Sequence, residues 1–381
     1  MNFEQAFSSK CSMLTALVSL ALGKQHSLIL KPDGSVWSTA IKLHGRNYYF
    51  VQLIQSGVKA VAAGNGYSMV LKHEGSVWAM GRNFRGQLGD RTRNKKNAFV
   101  PVQLITGAKA VSAGGYHSMV LTEQGRVWAT GWNKYGQLGH EFVSTSTTKF
   151  SQVISSGVTA VAAGDCHSIL LNEDGSVWAA GRNQHGQLGD GTKHDRYSFV
   201  KVVLSGAVAV AAGSDHSIVL KEDGSVWATG WNEYGQLGDR TTTDRINYVR
   251  IVWGGAKAIA AGSRHSMLLK QDGSVWVTGD NRCGQLGSGV ATHIKVSVQT
   301  FVKVFVQVVF GGVNAVAAGA YHSMIIKQDD SIWAAGLNED GQFGDGSTAS
   351  SKAFVRLAPF LNGASRTHVL SCLQLLKRWV F

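Results

Sequence analysis

The sequence predicts an all-β protein, specifically a seven-bladed β-propeller with about four antiparallel strands per blade. Three observations predict it: one unit recurs seven times, each unit reads as short strands, and glycine punctuates them. The recurrence is clearest in 223–238, DGSVWATGWNEYGQLG, with near-copies at 174–189, 124–139, 74–89, 272–287 and 329–344. A short AVAAG-type run precedes each copy and ends at Gly64, Gly114, Gly164, Gly213, Gly262 and Gly319, and a weaker first copy has Gly23. The steps between these glycines are 41, 50, 50, 49, 49 and 57 residues. Self-similarity at such a period marks an array whose units cannot bury an apolar face alone and must stack on their neighbours.

The third copy shows how a unit is built. FVPVQLI at 99–105 alternates in part, KAVSAG at 109–114 is short and small, HSMVLT at 117–122 is apolar and RVWATG at 126–131 is β-rich. Short β-type runs separated by glycine-bearing turns read as a small antiparallel sheet. The E-Q-G or E-D-G between the third and fourth runs is a hairpin signal, because glycine supplies the positive φ of a tight turn. In the last copy Asp330 takes that place, a residue that tolerates the left-handed region. Seven such sheets in series close most simply into a radial ring, which leaves only short, protected edges. The FVPVQLI-type strand follows every copy, so its last example, 354–357, is predicted to pair into the blade built from 19–37. That pairing of N- and C-terminal strands would close the ring.

The predicted organisation is a lead-in at 1–17, the propeller at 18–358 and a tail at 359–381. The apolar stretch 13–22 is read as part of the first copy, because 17–23 falls in register with 58–64. No apolar run reaches transmembrane length without interruption. Copy one lacks the GxNxxGQLG segment and is expected to be the least complete blade. The long step before the last copy, 293–312, alternates β-branched and polar residues and is expected to form an extended hairpin. The tail segment 369–381, VLSCLQLLKRWVF, has the composition of a short basic amphipathic helix. The four cysteines, Cys11, Cys166, Cys283 and Cys372, show no paired spacing, so reduced thiols and a cytoplasmic or nuclear location are expected.

The unit V-x-A-G-x-x-H-S-x-x-L-x-x-D-G-x-V-W-x-x-G-x-N-x-x-G-Q-L-G resembles the repeat of the regulator of chromosome condensation family across roughly 18–357. The resemblance implies a seven-bladed propeller. It also implies relatives that act as exchange factors, chromatin binders, a plant UV-B photoreceptor or scaffolds, so activity must be argued from sites. The UV-B receptor's functional tryptophan would fall at Gln25, Tyr116, Cys166, Asp215, Arg264 and Tyr321, none of which is Trp.

Candidate sites are weighed against the repeat. His26, His117, His167, His216, His265 and His322, with Tyr67 in copy two, are read as one buried hydrogen-bonded group per blade bridging neighbouring backbone. Equivalent positions on different blades do not converge to the roughly 2 Å that metal ligation needs. The series Trp37, Trp78, Trp128, Trp178, Trp227, Trp276 and Trp333 is read as inter-blade packing. The GxNxxGQLG runs lack the following helix that a phosphate loop requires. No bond-making site, cofactor or metal is expected.

The segments after each GQLG differ between copies, and variable loops on a rigid scaffold carry function. They should share one rim of the disc, placing Arg91, Arg93, Lys95, Lys96, Lys193, Arg196, Arg240 and Arg245 in a basic arc. With 37 Lys+Arg against 24 Asp+Glu and a net charge of +13, the chain suits an acidic partner. The reading is a macromolecule-binding, monomeric propeller: an exchange factor or regulator of a small Ras-type GTPase, or an adaptor holding chromatin, nucleic-acid backbone or an acidic protein.

Overall fold

The computed structural model describes residues 19–39, 49–102, 105–140, 145–289 and 301–357. Among these, the strands form seven four-stranded antiparallel sheets and no helix. Blade one spans 19–54, and blades two to seven span 58–101, 108–154, 158–203, 207–252, 256–309 and 313–356. In each blade the small-residue strand, such as Ala207–Ala212, is innermost; its glycine-ended turn lines an axial channel. The innermost strands pack side by side around the ring, and Val313–Ala318 meets Ser19–Leu22 to close it.

The second strand, such as His216–Lys221, is buried on both faces because neighbouring blades cover it from either side. This explains its unbroken apolar run. The third strand alternates: Val226 and Ala228 point into the core while Trp227 is half-buried. Trp37, Trp78, Trp128, Trp178, Trp276 and Trp333 each pack against the apolar cluster shared with the preceding blade, as the packing role requires. The hairpin glycines adopt positive φ, and Asp330 does so too, at 59°.

The ring closes differently from the expectation. Ser351–Arg356 pairs with Ile332–Gly336 of its own blade, and blade one is completed by its own outermost strand, Val51–Ile54. Among the described residues no strand is exchanged between the chain ends. The reason is sequence adjacency: each outermost strand follows the third strand of its own copy, and consecutive strands pair as neighbours. The loop between them is also held by its own side chains. In blade five Asn232 Nδ2 donates to Asp239 Oδ1 at 2.9 Å, and Asn232 Oδ1 accepts from Leu237 N–H at 3.0 Å. Asp239 Oδ1 also accepts from Thr241 N–H at 3.0 Å, and Arg245 Nε donates to Asp239 Oδ2 at 2.6 Å. This clasp fixes the loop in blades two, four and five, whereas blade three, with His140 in place of the aspartate, reaches the edge of its own sheet without it.

Blade seven is latched to blade one by side chains, like every other pair. His26 Nε2 meets Ser68 Oγ at 2.9 Å, and the same bond links His117–Ser168, His167–Ser217, His216–Ser266, His265–Ser323 and His322–Ser27 at 2.8–3.0 Å. Tyr67 supplies the missing link by donating to the His117 carbonyl. The partner is thus a serine hydroxyl of the next blade, where sequence reading expected backbone. Ser217 Oγ in turn donates to the Gln187 carbonyl at 2.6 Å, so imidazole Nε2–H is the donor to serine. Burial lowers every one of these histidines, to about 4 for His26, His117 and His265 and about 3 for His167, His216 and His322. They are neutral struts.

Blade one is the least complete, as expected: its strands are three or four residues long. Ser19–Leu22 is its innermost strand, which agrees with the register assigned to the first copy. Of the long step before copy seven, Phe301–Val309 forms the outermost strand of blade six and 310–312 turn to the next blade, while 293–300 of the expected hairpin lie outside the described residues. So do the lead-in 1–17 and the tail segment 369–381.

Candidate partner-binding face

Antiparallel order places two kinds of loop on one face of the disc. One joins innermost to second strand and the other joins third to outermost strand. The predicted rim residues therefore sit on the same face as the mouth of the axial channel. Their roles separate. Lys96, Arg196 and Arg245 occupy one equivalent position and are committed to the loop clasp, pairing with Asp90 at 3.2 Å and with Asp190 and Asp239 at 2.6 Å. Burial pushes the Asp239 carboxyl up, but hydrogen bonds from Thr241 and Arg245 outweigh it and hold the group below the usual carboxylate range. Arg93 donates to the Phe84 carbonyl and to Ser146 Oγ across the blade boundary. Arg91, Lys95, Lys193 and Arg240 are exposed.

Arg91 and Arg240 carry positive φ, 65° and 70°, at a position where the sister loops have Gly191, Gly289 and Gly346. A left-handed non-glycine residue costs about 1 kcal/mol. The chain sustains that cost twice to keep arginine at the rim.

Inside the rim lies a feature that the sequence reading missed. Loops from successive blades bring aromatic rings and guanidinium groups together in two runs along one arc. Phe84 meets Tyr116 at 5.8 Å between ring centroids, Tyr116 meets Trp132 at 5.5 Å and Trp132 meets Tyr135 at 5.3 Å. Arg85 lies over Trp132 at 5.1 Å, and Arg182 over Tyr135 at 5.6 Å. Further round, His185 meets Trp231 at 5.6 Å and Trp231 meets Tyr234 edge-on at 5.3 Å. Arg264 lies over Trp231 and Tyr234 at 5.2 and 4.9 Å, and Arg282 over Tyr234 at 4.5 Å. The arc crosses blades two to six. Its signal in the sequence was the pair of GWN copies, Trp132 and Trp231, each followed three residues later by tyrosine.

The arc's chemistry is recognition. Stacked guanidinium planes are held in place by the rings, and edge-to-face aromatic pairs are rigid and amphipathic. Beside it, burial pushes up the Asp165 and Asp215 carboxyls, opposed by Lys24 and Arg182 at the first and by Arg182, His185 and Arg264 at the second. Arg182 Nη1 stands 3.5 Å from Asp215 Oδ1, and Gln187 Nε2 donates to the same oxygen at 3.0 Å. Burial, reinforced by Asp165 and Asp215, pushes the Cys166 thiol up to about 12, which keeps it a thiol at neutral pH. Among the described residues no cluster of His, Cys, Asp and Glu could hold a metal ion.

A sequence model of the RCC1-like domain matches residues 4–251 and, in a second overlapping match, 155–373. The chain belongs to the RCC1-like domain family. Among solved structures it is similar to yeast RCC1 (Prp20), crystallised bound to Kap60, with TM-score 0.73 and 22% identity over 80% of this chain and 76% of that one. Human WBSCR16 is similar at TM-score 0.73 and 23% identity, over 84% of this chain and 89% of that one. The CRINKLY WD40 ectodomain of the Arabidopsis thaliana receptor kinase ACR4 is more distant, at TM-score 0.52 and 17% identity over 88% and 97%. No curated protein sequence matches the chain. Among its described residues no helix is long and apolar enough to cross a membrane.

Proposed function

We propose that this chain works as a monomeric binding propeller in the cytoplasm or nucleus, using its aromatic–arginine face to grip an acidic protein surface. The partner class we assign is a small Ras-type GTPase, with guanine-nucleotide exchange as the outcome of binding. The observation that carries the reading is the pair of ring–guanidinium runs, Phe84 to Arg182 and His185 to Arg282, on a single face. Buried arginine, tryptophan and tyrosine dominate binding energy at protein interfaces. Prp20p, a solved relative, was studied for its binding to Gsp1p and histones, which supports trying this class first. Such a regulator makes and breaks no bond; it favours the nucleotide-free partner by differential contact energy.

The test is release of a fluorescent guanine nucleotide from a panel of small GTPases, including Ran, at catalytic propeller concentrations. Acceleration by the native chain and its loss in a Trp231→Ala/Arg264→Ala variant is the expected result. No acceleration across the panel removes the exchange reading.

A second reading is favoured by the exposed Arg91 and Arg240 at their strained positions. In it the rim residues Arg91, Lys95, Lys193 and Arg240 hold chromatin, nucleic-acid backbone or an acidic protein without affecting nucleotide turnover. That binding would weaken steeply with salt and on charge reversal at Lys95 and Lys193.

A further inference from the structure

The guanidinium groups of the arc are each engaged by a ring or a carboxylate. Arg85 and Arg264 lie over aromatic faces, Arg182 faces Asp215 at 3.5 Å and Arg282 pairs with Asp280 at 2.7 Å. Arg82, on the same face in blade two, is engaged differently. Its Nη1 donates to Asn65 Oδ1 at 3.2 Å and its Nη2 to Gln25 Oε1 at 3.4 Å. Both acceptors are neutral amide oxygens. Each amide turns its oxygen to Arg82 because its NH2 group is committed elsewhere. Asn65 Nδ2 donates to Tyr116 Oη at 3.3 Å, and Gln25 Nε2 donates to Asp340 Oδ2 at 3.2 Å. Against the side chain lies Gly66, where a Cβ would come within 2.8 Å of Arg82 Cδ and Nε. The equivalent turns carry Gln25, Tyr116, Cys166, Asp215, Arg264 and Tyr321. Copy two vacates the place in which its guanidinium lies.

We infer that Arg82 is an oxyanion anchor, a guanidinium held in position and left uncompensated so that it takes a carboxylate presented by the acidic partner. The inference rests on the reading of this face as the partner-binding one and gives it a specific contact. Arg82 is exposed, and among the described residues it forms no ion pair and lies over no ring. Of the five N–H groups of a guanidinium, two are used here. An internal carboxylate would neutralise the group, as Asp215 does for Arg182. Neutral oxygens orient the planar fork and leave its charge for an incoming anion, with which it makes the stronger, charge-assisted bonds. The place is part of one connected surface. Asn65 lines the axial channel, and Tyr116 belongs to the first run of the arc, so hydrogen bonds tie the anchor to both. Blade one contributes no aromatic loop, and the chain Arg82–Gln25–Asp340 continues the face across it to blade seven.

The experiment follows the arginine Nε–H signals of the full chain by heteronuclear NMR at constant ionic strength. The titrants are acetyl-tetraglutamate amide and, separately, acetyl-tetraglutamine amide and inorganic phosphate. The Arg82 signal should move along a saturating curve with tetraglutamate and stay in place with tetraglutamine. The Arg182 signal, its charge already met by Asp215, should move much less. Asn65→Asp sets a carboxylate of the same shape beside the guanidinium and should weaken the tetraglutamate titration about tenfold. Gln25→Glu does the same from an exposed position, so a failure to fold is not at stake there. An unsaturated, straight-line response at Arg82, an equal response at Arg182, or unchanged affinity in both variants would overturn the inference. Saturation by phosphate without saturation by tetraglutamate would overturn the carboxylate assignment. No GTPase enters the measurement, so its failure is distinct from failure of the nucleotide-release assay.

Discussion

Blade five and blade one are cut from the same repeat and end up with different duties. Blade five has the full loop between its third and outermost strands. That loop clasps itself through Asn232, Asp239, Thr241 and Arg245, bridges to blade six by pairing Asp239 with Val304, and lifts Trp231 and Tyr234 into the aromatic arc. Its Gly238 also lies where any Cβ would meet the Phe305 ring of blade six at 2.6 Å, so the aromatic seats directly on backbone. Blade one has no GxNxxGQLG segment and hence no such glycine to seat Phe99 of blade two. It retains the His26–Ser68 strut. The difference teaches that one loop does two jobs, locking adjacent blades together and displaying the residues that meet a partner.

Acidification tests both blades at once and should have the largest effect. A buried neutral histidine with folded pKa near 3 or 4 and unfolded pKa near 6.5 binds its proton only after unfolding. Its contribution is therefore full above about pH 6.5 and is lost as pH falls towards the folded value. Each contributes about 1.4 kcal/mol per pH unit in that window. Six act together, so urea midpoints should collapse between pH 6.5 and pH 5 and change little between pH 7 and pH 8.

Removing single struts separates the blades. His216→Ala should cost about 3 kcal/mol, because it opens a cavity in a seam that the neighbouring loop seals. His26→Ala should cost about half as much, since the seam between blades one and two lacks that loop and can relax. Equal losses in denaturant titrations would show that the loop contributes nothing to the seam. Next, Asp239→Ala should cost about 2 kcal/mol by freeing the Thr241 amide, the Asn232 side chain and Arg245 together. Blade one has no counterpart to lose.

On the binding side, Trp231→Ala or Arg264→Ala should weaken an acidic partner by about 2 kcal/mol, some 30-fold, while leaving the unfolding midpoint nearly unchanged. Gln25→Ala, the matching turn of blade one, should weaken it less than threefold in the same titration. The smallest effect is a gain. Arg240→Gly should stabilise the fold by about 0.5 kcal/mol through relief of its positive φ, at the expense of rim affinity.

The repeat made much of this legible before any coordinates. Period and glycine spacing located the blades, the hairpin role of Asp330 followed from its replacing glycine, and the histidines read correctly as structural. The closure did not follow. An outermost strand such as 354–357 has a free sheet edge on either side, and alternation alone cannot choose between them. Sequence adjacency chooses, and the clasp that fixes the loop in blades two, four and five has members (Asn232, Asp239, Arg245) scattered over 14 residues of otherwise variable loop. The same scatter hid the ionic fate of Lys96, Arg196 and Arg245, which look free in sequence. The aromatic arc was harder still. Arg264 and Trp231 belong to different repeats and meet only once blades five and six are side by side.

Because each sheet is finished by its own stretch of chain, the junction between the last and first blades contains no threaded strand. It holds through the apolar cluster that Ile29, Trp37 and Phe50 share with Met324, Ile326 and Phe343, the His322–Ser27 contact, the Ser27–Gln342 hydrogen bond and the short Tyr49–Asp345 bridge. The molecule is therefore a split washer held shut by side chains. It can spring apart at that gap with all seven sheets whole, and new termini could be cut between any other two blades once the old ones were joined.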